Sequence, residues 1–224
     1  MAANLASVLA RRRGARVLGV DAGLGAGFTR MTAARPDTGE PSAAAPRTEV
    51  RLHSPVTVNQ AGVATAHLLT GVHGLRVCRP GLNTRLPTPS PSDWVADVTR
   101  LTRFFDVVVT DWGHRMARAD FERAVVGAHV VAVVCRADRF GVEQAVAVAR
   151  AVERVAPVVV CATDVDGVGI TAARTAIRSR TVPVRFIPFL TDSAAPSARY
   201  RDAVIGLAAA LMDATSRHSI GGAL

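Results

Sequence analysis

Two aspartates close apolar runs of the kind that form buried strands. Asp21 ends VLGVD at 17–21, and Asp111 ends FDVVVTD at 105–111. In open α/β sheets, ligands bind in the crevice at the carboxyl ends of the strands. A carboxylate there can hold Mg²⁺, usually through water. A strand-end aspartate can also simply cap a turn, and both interpretations stay open. If a ligand binds, we expect the two carboxylates to lie side by side on neighbouring strands.

Other chemistry is poorly indicated. None of the six histidines has metal-ligand spacing. His129 falls in an apolar run and is expected in the core, whereas His114, just after Asp111, is the only histidine near the proposed crevice. No Ser/His/Asp or Cys/His set follows from sequence order, so we assign no catalytic residue.

The cysteines Cys78, Cys135 and Cys161 lie in apolar runs without C-x-x-C spacing. They are expected to be buried free thiols of a cytoplasmic protein.

Alternating elements predict an α/β fold with a mainly parallel sheet flanked by helices. We expect one domain over 1–224, with mobile loops at 33–50 and 84–92. The expected helices cover 2–13, 60–70, 94–104, 141–154, 171–179 and 199–214. The expected strands cover 17–21, 75–81, 105–111, 128–135, 157–163 and 183–189.

The basic residues are unusual because every one of them is arginine. The chain has 27 basic and 18 acidic residues, a net charge of +9, and no lysine. This excess indicates an acidic partner, either nucleic acid or an anionic membrane face, although a well-solvated surface explains it equally. No run reaches the roughly 18 apolar residues of a membrane span.

Several stretches resemble the ParA/MinD family of P-loop NTPases. AANLASVLARRRGARVLGVDAG resembles the helix that follows the family's P-loop, with the next strand ending in D-x-D. FDVVVTDWG resembles its Walker B strand, AHVVAVVCRADRFGVEQAVAVARAVE the following strand and helix, and RFIPF the late strand near the adenine. The resemblance implies an ATP-binding switch that uses Mg²⁺, forms a nucleotide-dependent homodimer, and positions DNA, protein cargo or secretion machinery. It also implies cofactor-binding roles for Asp21, Asp111, Gly113 and Thr163, the first two as magnesium ligands.

The sequence departs from that family at three points. The loop G-K-G-G-x-G-K-[ST] is absent, and Gly23 stands where the second aspartate of D-x-D would activate water. Thr163 stands near the position of an asparagine that reads adenine. We therefore expect a P-loop NTPase-like fold without its first strand, a truncated or degenerate chain without ATP hydrolysis, and a native start upstream of Met1.

Two alternatives remain beside this interpretation. The chain could be a non-catalytic interaction module that keeps the fold alone. The glycine-rich stretch DAGLGAGFTR also fits a P-loop pattern with Phe28 in the lysine's place, or an imperfect G-x-G-x-x-G of an NAD-binding oxidoreductase. Pro36 and Gly39 would interrupt the helix that a P-loop launches, so a flexible turn is the preferred interpretation of this stretch.

Overall fold

The structure, a computed structural model, describes residues 1–23, 28, 68–78, 90–114, 118–167, 182–190 and 196–221. These residues form two compact units, Met1–Asp120 and Phe121–Leu224. Each unit is described by itself below, and the expectation of a single domain stays a prediction.

The first unit is a four-stranded sheet between two helices. Its elements are α1 (Ala2–Arg13), β1 (Val17–Asp21), β2 (Leu69–Thr70), β3 (Arg76–Cys78), α2 (Pro91–Thr102) and β4 (Val107–Asp111). The strand order is β2-β3-β1-β4. β1 runs parallel to both β3 and β4, while β2 is antiparallel to β3.

The side chains of β1 contribute to a hydrophobic core on each face of this sheet, because successive residues of a strand point to opposite sides. The first core is formed with α1 by Ala3, Ala6, Ala10, Val17, Phe28, Leu75 and Val77. The second is formed with α2 by Leu18, Val20, Leu68, Cys78, Val98 and Leu101. All five residues of β1 are buried, which explains why its sequence is an unbroken run of small and apolar residues before Asp21.

The second unit is an all-parallel sheet in the order β5-β6-β7. Its elements are β5 (Val131–Arg136), α4 (Arg139–Val152), β6 (Val158–Thr163), β7 (Val184–Ile187) and α5 (Ala198–Gly221). The apolar face of α4 packs on alternate residues of β6. Asp138 caps α4, because its Oδ1 accepts the backbone N–H of Gly141 at 2.6 Å. A further helix, α3 (Arg118–Val125), spans the boundary between the units.

The predicted fold class is confirmed, with mainly parallel strands flanked by helices. The helix expected over 60–70 is wrong at its end, where Leu69 and Thr70 form β2. Residues 60–67 of that prediction lie outside the described residues, as do the helix at 171–179, the loop at 33–50 and most of the loop at 84–92.

Three other expectations are corrected, and one helix was not anticipated. The helix expected over 199–214 continues to Gly221. The helix expected from 94 begins at Pro91, because proline suits the first helical position; positions 91 and 92 are therefore helix rather than loop. His129 is exposed just before β5 rather than part of the core. No helix was expected over α3, which is short.

The three cysteines lie in strands, as expected, and all are free. Cys78 and Cys161 are buried, and Cys135 is half-buried. Burial raises the pKa of Cys161 to about 11. Burial, with the nearby Cys161 and Asp138, raises the pKa of Cys135 to about 12. The thiols of Cys135 and Cys161 are therefore protonated and weakly nucleophilic at neutral pH. None of the helices described is both long and apolar enough to cross a membrane.

Candidate functional site

The structure brings Asp21 and Asp111 together. In the parallel register of β1 and β4 these two residues are direct partners, at the last position of each strand. Beyond them the backbone pairing continues, because the N–H of Ala22 donates to the carbonyl of Asp111 at 2.9 Å. Neighbouring strands lie about 4.8 Å apart, so the two backbones hold the carboxylates close together. The expected placement at the carboxyl ends of neighbouring strands is confirmed; their role as ligands stays a prediction.

Both carboxylates lie on the face of the sheet that α1 covers. Val17, Val107 and Val109 belong to the core beneath α1, and the period of two places Asp21 and Asp111 on the same side. α1 leads through the short turn Gly14–Arg16 into the start of β1, so the helix runs opposite to the strand.

The amino end of α1 therefore points toward the edge that carries the two aspartates. α1 has 12 residues and β1 has five, which correspond to about 18 Å of helix and 17 Å of strand. The first bond within this helix runs from the N–H of Leu5 to the carbonyl of Met1. The amides of a first helical turn and the helix dipole favour a bound anion, so this edge combines carboxylates with a positive helix end.

The two aspartates differ in their surroundings. Asp21 is 1% exposed, whereas Asp111 is half-buried. The Oδ1 of Asp111 accepts the backbone N–H of Gly113 at 2.9 Å, which closes a turn in which Gly113 has φ 61°. A positive φ is readily adopted only by glycine. Asp111 therefore caps a turn, and one of its carboxylate oxygens already accepts a hydrogen bond from the protein backbone.

Gly23 lies against this turn. A Cβ at position 23 would be 3.0 Å from both the Cα and the N of Gly113. The contact is with backbone rather than with a movable side chain. The position at which the family resemblance places a second aspartate therefore has no room for a side chain unless the turn moves.

Two tryptophans flank the same strand end, a feature that sequence reasoning missed. The indole Nε1 of Trp94, in α2, donates to the Oγ1 of Thr110 at 3.1 Å. The rings of Trp94 and Trp112 are 6.2 Å apart with an interplanar angle of 40°. Trp94 thus ties α2 to the residue that precedes Asp111. No spacing could have revealed the contact, because it joins residues from separate elements of the unit.

The donor set suits magnesium better than a metal that needs a full protein cage. In the described part of the chain, no group of three or more His, Cys, Asp or Glu side chains could hold a metal ion. Mg²⁺ is commonly bound by one or two carboxylates, with water and substrate phosphate completing the octahedron. Asp21 and Asp111 fit that requirement at the end of two adjacent parallel strands.

Thr163 belongs to the second unit, whereas both aspartates belong to the first. It is the last residue of β6 and pairs in register with Arg136 of β5. Arg136 forms ion pairs with Asp138, at 3.3 Å, and with Asp166. Asp164 follows, 9% exposed, and its Oδ1 accepts the N–H of Gly167 at 2.9 Å. Thr163 thus lies beside an ion-pair cluster that sequence order alone did not reveal.

Phe28, the residue in the lysine's place in the alternative P-loop pattern, is a core side chain. It is fully buried beneath α1. A Cβ at Gly19 would overlap the Cε1 of Phe28 and lie 2.8 Å from its Cδ1, so the ring lies directly on the backbone of β1. This position is part of the packing between helix and sheet and is not presented to a phosphate.

Comparison with known proteins gives a clear result at the level of fold. No protein-family model and no curated protein sequence matches the chain. Solved structures do match. A ParA family ATPase from Chlorobium tepidum TLS superposes with a TM-score of 0.59 and 15% identity, covering 92% of this chain and 91% of that one.

Two MinD structures from Aquifex aeolicus agree. The cell division protein MinD has a TM-score of 0.56 and 15% identity, with coverage of 94% of this chain and 89% of MinD. The MinC:MinD complex gives 0.53 and 14%, with coverage of 98% and 89%. The fold is that of a P-loop NTPase-like α/β protein. Within that class it is the fold of ParA and MinD, as the sequence resemblance predicted.

Proposed function

We propose that this protein is an ATP-binding switch of the ParA/MinD type that binds Mg²⁺ and ATP but does not hydrolyse ATP in the form of this chain. The observation that carries the proposal is the in-register pair of Asp21 and Asp111 at the carboxyl ends of β1 and β4. The fold shared with a ParA family ATPase and with MinD supports it.

Each part of this edge has a distinct role in the proposal. Asp21 and Asp111 would hold a magnesium ion, which one or two carboxylates can bind. The amino end of α1 faces the phosphates, where its amides and dipole stabilise negative charge. Bound Mg²⁺ would supply positive charge to the phosphate oxygens. The cargo is DNA or another protein.

We expect no ATP hydrolysis because the chain lacks the lysine charge that this reaction requires. Phosphoryl transfer is catalysed largely by positioned positive charge around the transferring group, and this chain has no lysine at all. In the family that the sequence resembles, an aspartate at this position activates the attacking water. Here the position is occupied by Gly23, which has no side chain and packs on the backbone of Gly113. Nucleotide can therefore be bound without being turned over.

Calorimetric titration of the full chain with ATP and Mg²⁺ tests this proposal. We expect binding that is weakened in Asp111→Asn and unchanged in Asp106→Asn. Asp106 is the matched control, because it precedes the same strand at its opposite end and pairs with two exposed arginines. Phosphate release should stay at background. Absence of binding would refute the proposal, and turnover that Asp111→Ala abolishes would refute the loss of hydrolysis.

A second candidate is a non-catalytic interaction module that has kept the fold alone. One observation favours it: the bond from Gly113 to Asp111 explains this aspartate as a turn cap without any ligand. In that case the titration gives no heat of binding. Asp111→Asn then lowers the free energy of unfolding, because an amide accepts the same backbone bond less strongly than a carboxylate.

A further inference from the structure

Trp94 is held in place by the core that α2 forms with the sheet. Its side chain packs against the cluster that contains the buried Val98 and Leu101. These residues follow it at four and seven positions along α2, so all three lie on one face of the helix. The backbone N–H of Trp94 donates to the carbonyl of Ser90 at 3.0 Å, at the start of the same helix. Both the backbone and the ring of Trp94 are therefore supported.

The ring of Trp94 contacts both chain neighbours of Asp111. Its Nε1 donates to the Oγ1 of Thr110 at 3.1 Å, an ordinary length for a hydrogen bond of this type. Its centroid is 6.2 Å from that of Trp112, a separation at which aromatic rings attract one another. One side chain thus contacts the residue immediately before Asp111 and the residue immediately after it.

These contacts reach the end of β4 from the face opposite to the carboxylate. Val108 packs against the core beneath α2, and Thr110, two positions further along the strand, faces the same side. Asp111 faces the other side, which α1 covers. Its Oδ1 accepts the N–H of Gly113 at 2.9 Å. Trp94 therefore supports the backbone around Asp111 from behind, while the turn at Gly113 orients the carboxylate itself.

We propose that Trp94 is a positioning residue for the magnesium site, acting through Thr110 and Trp112 on the carboxylate of Asp111; this inference rests on the proposed function. Carboxylates that bind metals are usually oriented by partners in the outer shell, and such partners affect metal affinity strongly. Here the support comes through the chain rather than through the carboxylate oxygens. Without it, the last residues of β4 can twist, and the carboxylate moves away from Asp21, its partner on β1.

Calorimetric titration of the full chain with ATP, with and without Mg²⁺, tests the proposal. Trp94→Phe keeps an aromatic ring but removes the N–H, and Thr110→Val removes the acceptor but keeps the branched shape. In each variant, the factor by which Mg²⁺ tightens ATP binding should fall about tenfold, the lower end of the loss that follows removal of an outer-shell partner. ATP binding without Mg²⁺ should be unchanged. Because both variants break the same bond, the double variant should lose no more than either one alone.

Two controls separate positioning from a general loss of stability. Val98→Ala shortens a fully buried side chain in the same core, so it should lower the urea midpoint and leave the effect of Mg²⁺ unchanged. In an Asp111→Asn chain, Trp94→Phe should have no further influence on the effect of Mg²⁺, since the carboxylate through which Trp94 acts is gone.

Hydrogen exchange of the Gly113 amide gives a second measurement that needs no ligand. This amide donates to the Oδ1 of Asp111, so its exchange reports how often the turn opens. Exchange should be severalfold faster in Trp94→Phe and in Thr110→Val than in the wild type, and unchanged in Val98→Ala.

The outcomes distinguish this inference from the proposed function. If the wild-type chain binds ATP with Mg²⁺ and Trp94→Phe responds to Mg²⁺ as the wild type does, the inference is overturned and the proposed function stands. An equal loss in Val98→Ala, or Gly113 exchange that is the same in every chain, would also overturn the inference alone. A wild-type chain that binds no ATP would refute the proposed function, and the role in magnesium binding with it.

Discussion

Replacing Gly19 by alanine should destabilise the first unit through a single steric contact. Gly19 is in the middle of β1, paired with β3 on one side and β4 on the other. A Cβ there would overlap the Cε1 of Phe28 and lie 2.8 and 3.1 Å from its Cδ1 and Cζ atoms. Because Phe28 is fully buried, its ring cannot simply rotate into solvent. Either the ring or the strand must shift.

The expected magnitude is the difference between two effects. Overpacking a well-filled core costs about 1–3 kcal/mol. Alanine also restricts the unfolded chain, which returns roughly 0.4–1 kcal/mol. The free energy of unfolding of Gly19→Ala should therefore fall by about 1.3 kcal/mol, the difference between the midpoints of these two ranges. Gly206→Ala, at a site in α5 where a Cβ meets nothing within 4 Å, should instead stabilise the chain slightly.

Urea denaturation followed by circular dichroism provides the measurement, with Phe28→Leu completing a double-mutant cycle. Leucine removes the ring atoms that the new methyl group at position 19 would meet, so Gly19→Ala should cost less in the Phe28→Leu background than in the wild type. A coupling energy within the range of about 0.5–3 kcal/mol is expected for residues in contact. Additive effects, or a Gly19→Ala chain as stable as the wild type, would refute this account of the packing.

Three further outcomes are expected. Gly23→Ala should lower the free energy of unfolding by about 1 kcal/mol, because its Cβ meets backbone at 3.0 Å; a urea midpoint equal to that of the wild type would contradict the tight contact with Gly113. Asp138→Ala should lower the free energy of unfolding by about 1 kcal/mol, measured in urea or by heating, because α4 loses its cap. Asp138→Asn should retain most of this stability, since asparagine also caps helices. Equal losses in the two variants would contradict a capping role. The buried Cys161 keeps its proton in the folded state up to a pKa of about 11, whereas an unfolded thiol ionises near a pKa of about 8.5. The free energy of unfolding should therefore fall as pH rises from about 9 to 11, and urea midpoints should show a smaller fall in Cys161→Ala; an identical fall in both chains would contradict the raised pKa.

Much of the fold was predictable because long apolar runs and helix periodicity are local signals. α1 and β1 begin and end where the sequence predicts, and the other predicted strands among the described residues agree to within a few residues. The errors arise where a segment is short, or where its pattern of residues fits both a helix and a strand. Leu69 and Thr70 continue an apparently helical stretch but pair with β3, and only a partner strand decides such a case. α3 has eight residues, too few for a reliable period.

The candidate site was predictable only in part. The rule that strand-end carboxylates meet at one edge of a parallel sheet placed Asp21 beside Asp111. The contact of Gly23 with Gly113, the bond from Trp94 to Thr110, and the burial of Phe28 against Gly19 depend on how separate elements pack. Those contacts are tertiary and leave no periodic trace in a single sequence.

The positions of Trp94 and Trp112 also have an optical consequence. The chain contains two tryptophans and one tyrosine. Both indoles are in the first unit beside the end of β4, whereas Tyr200 is buried in α5 of the second. Indole emission therefore reports on the first unit alone, and the phenol band in second-derivative absorbance reports on the second. The two halves of the chain carry separate native chromophores, so their unfolding can be followed independently in one unlabelled sample.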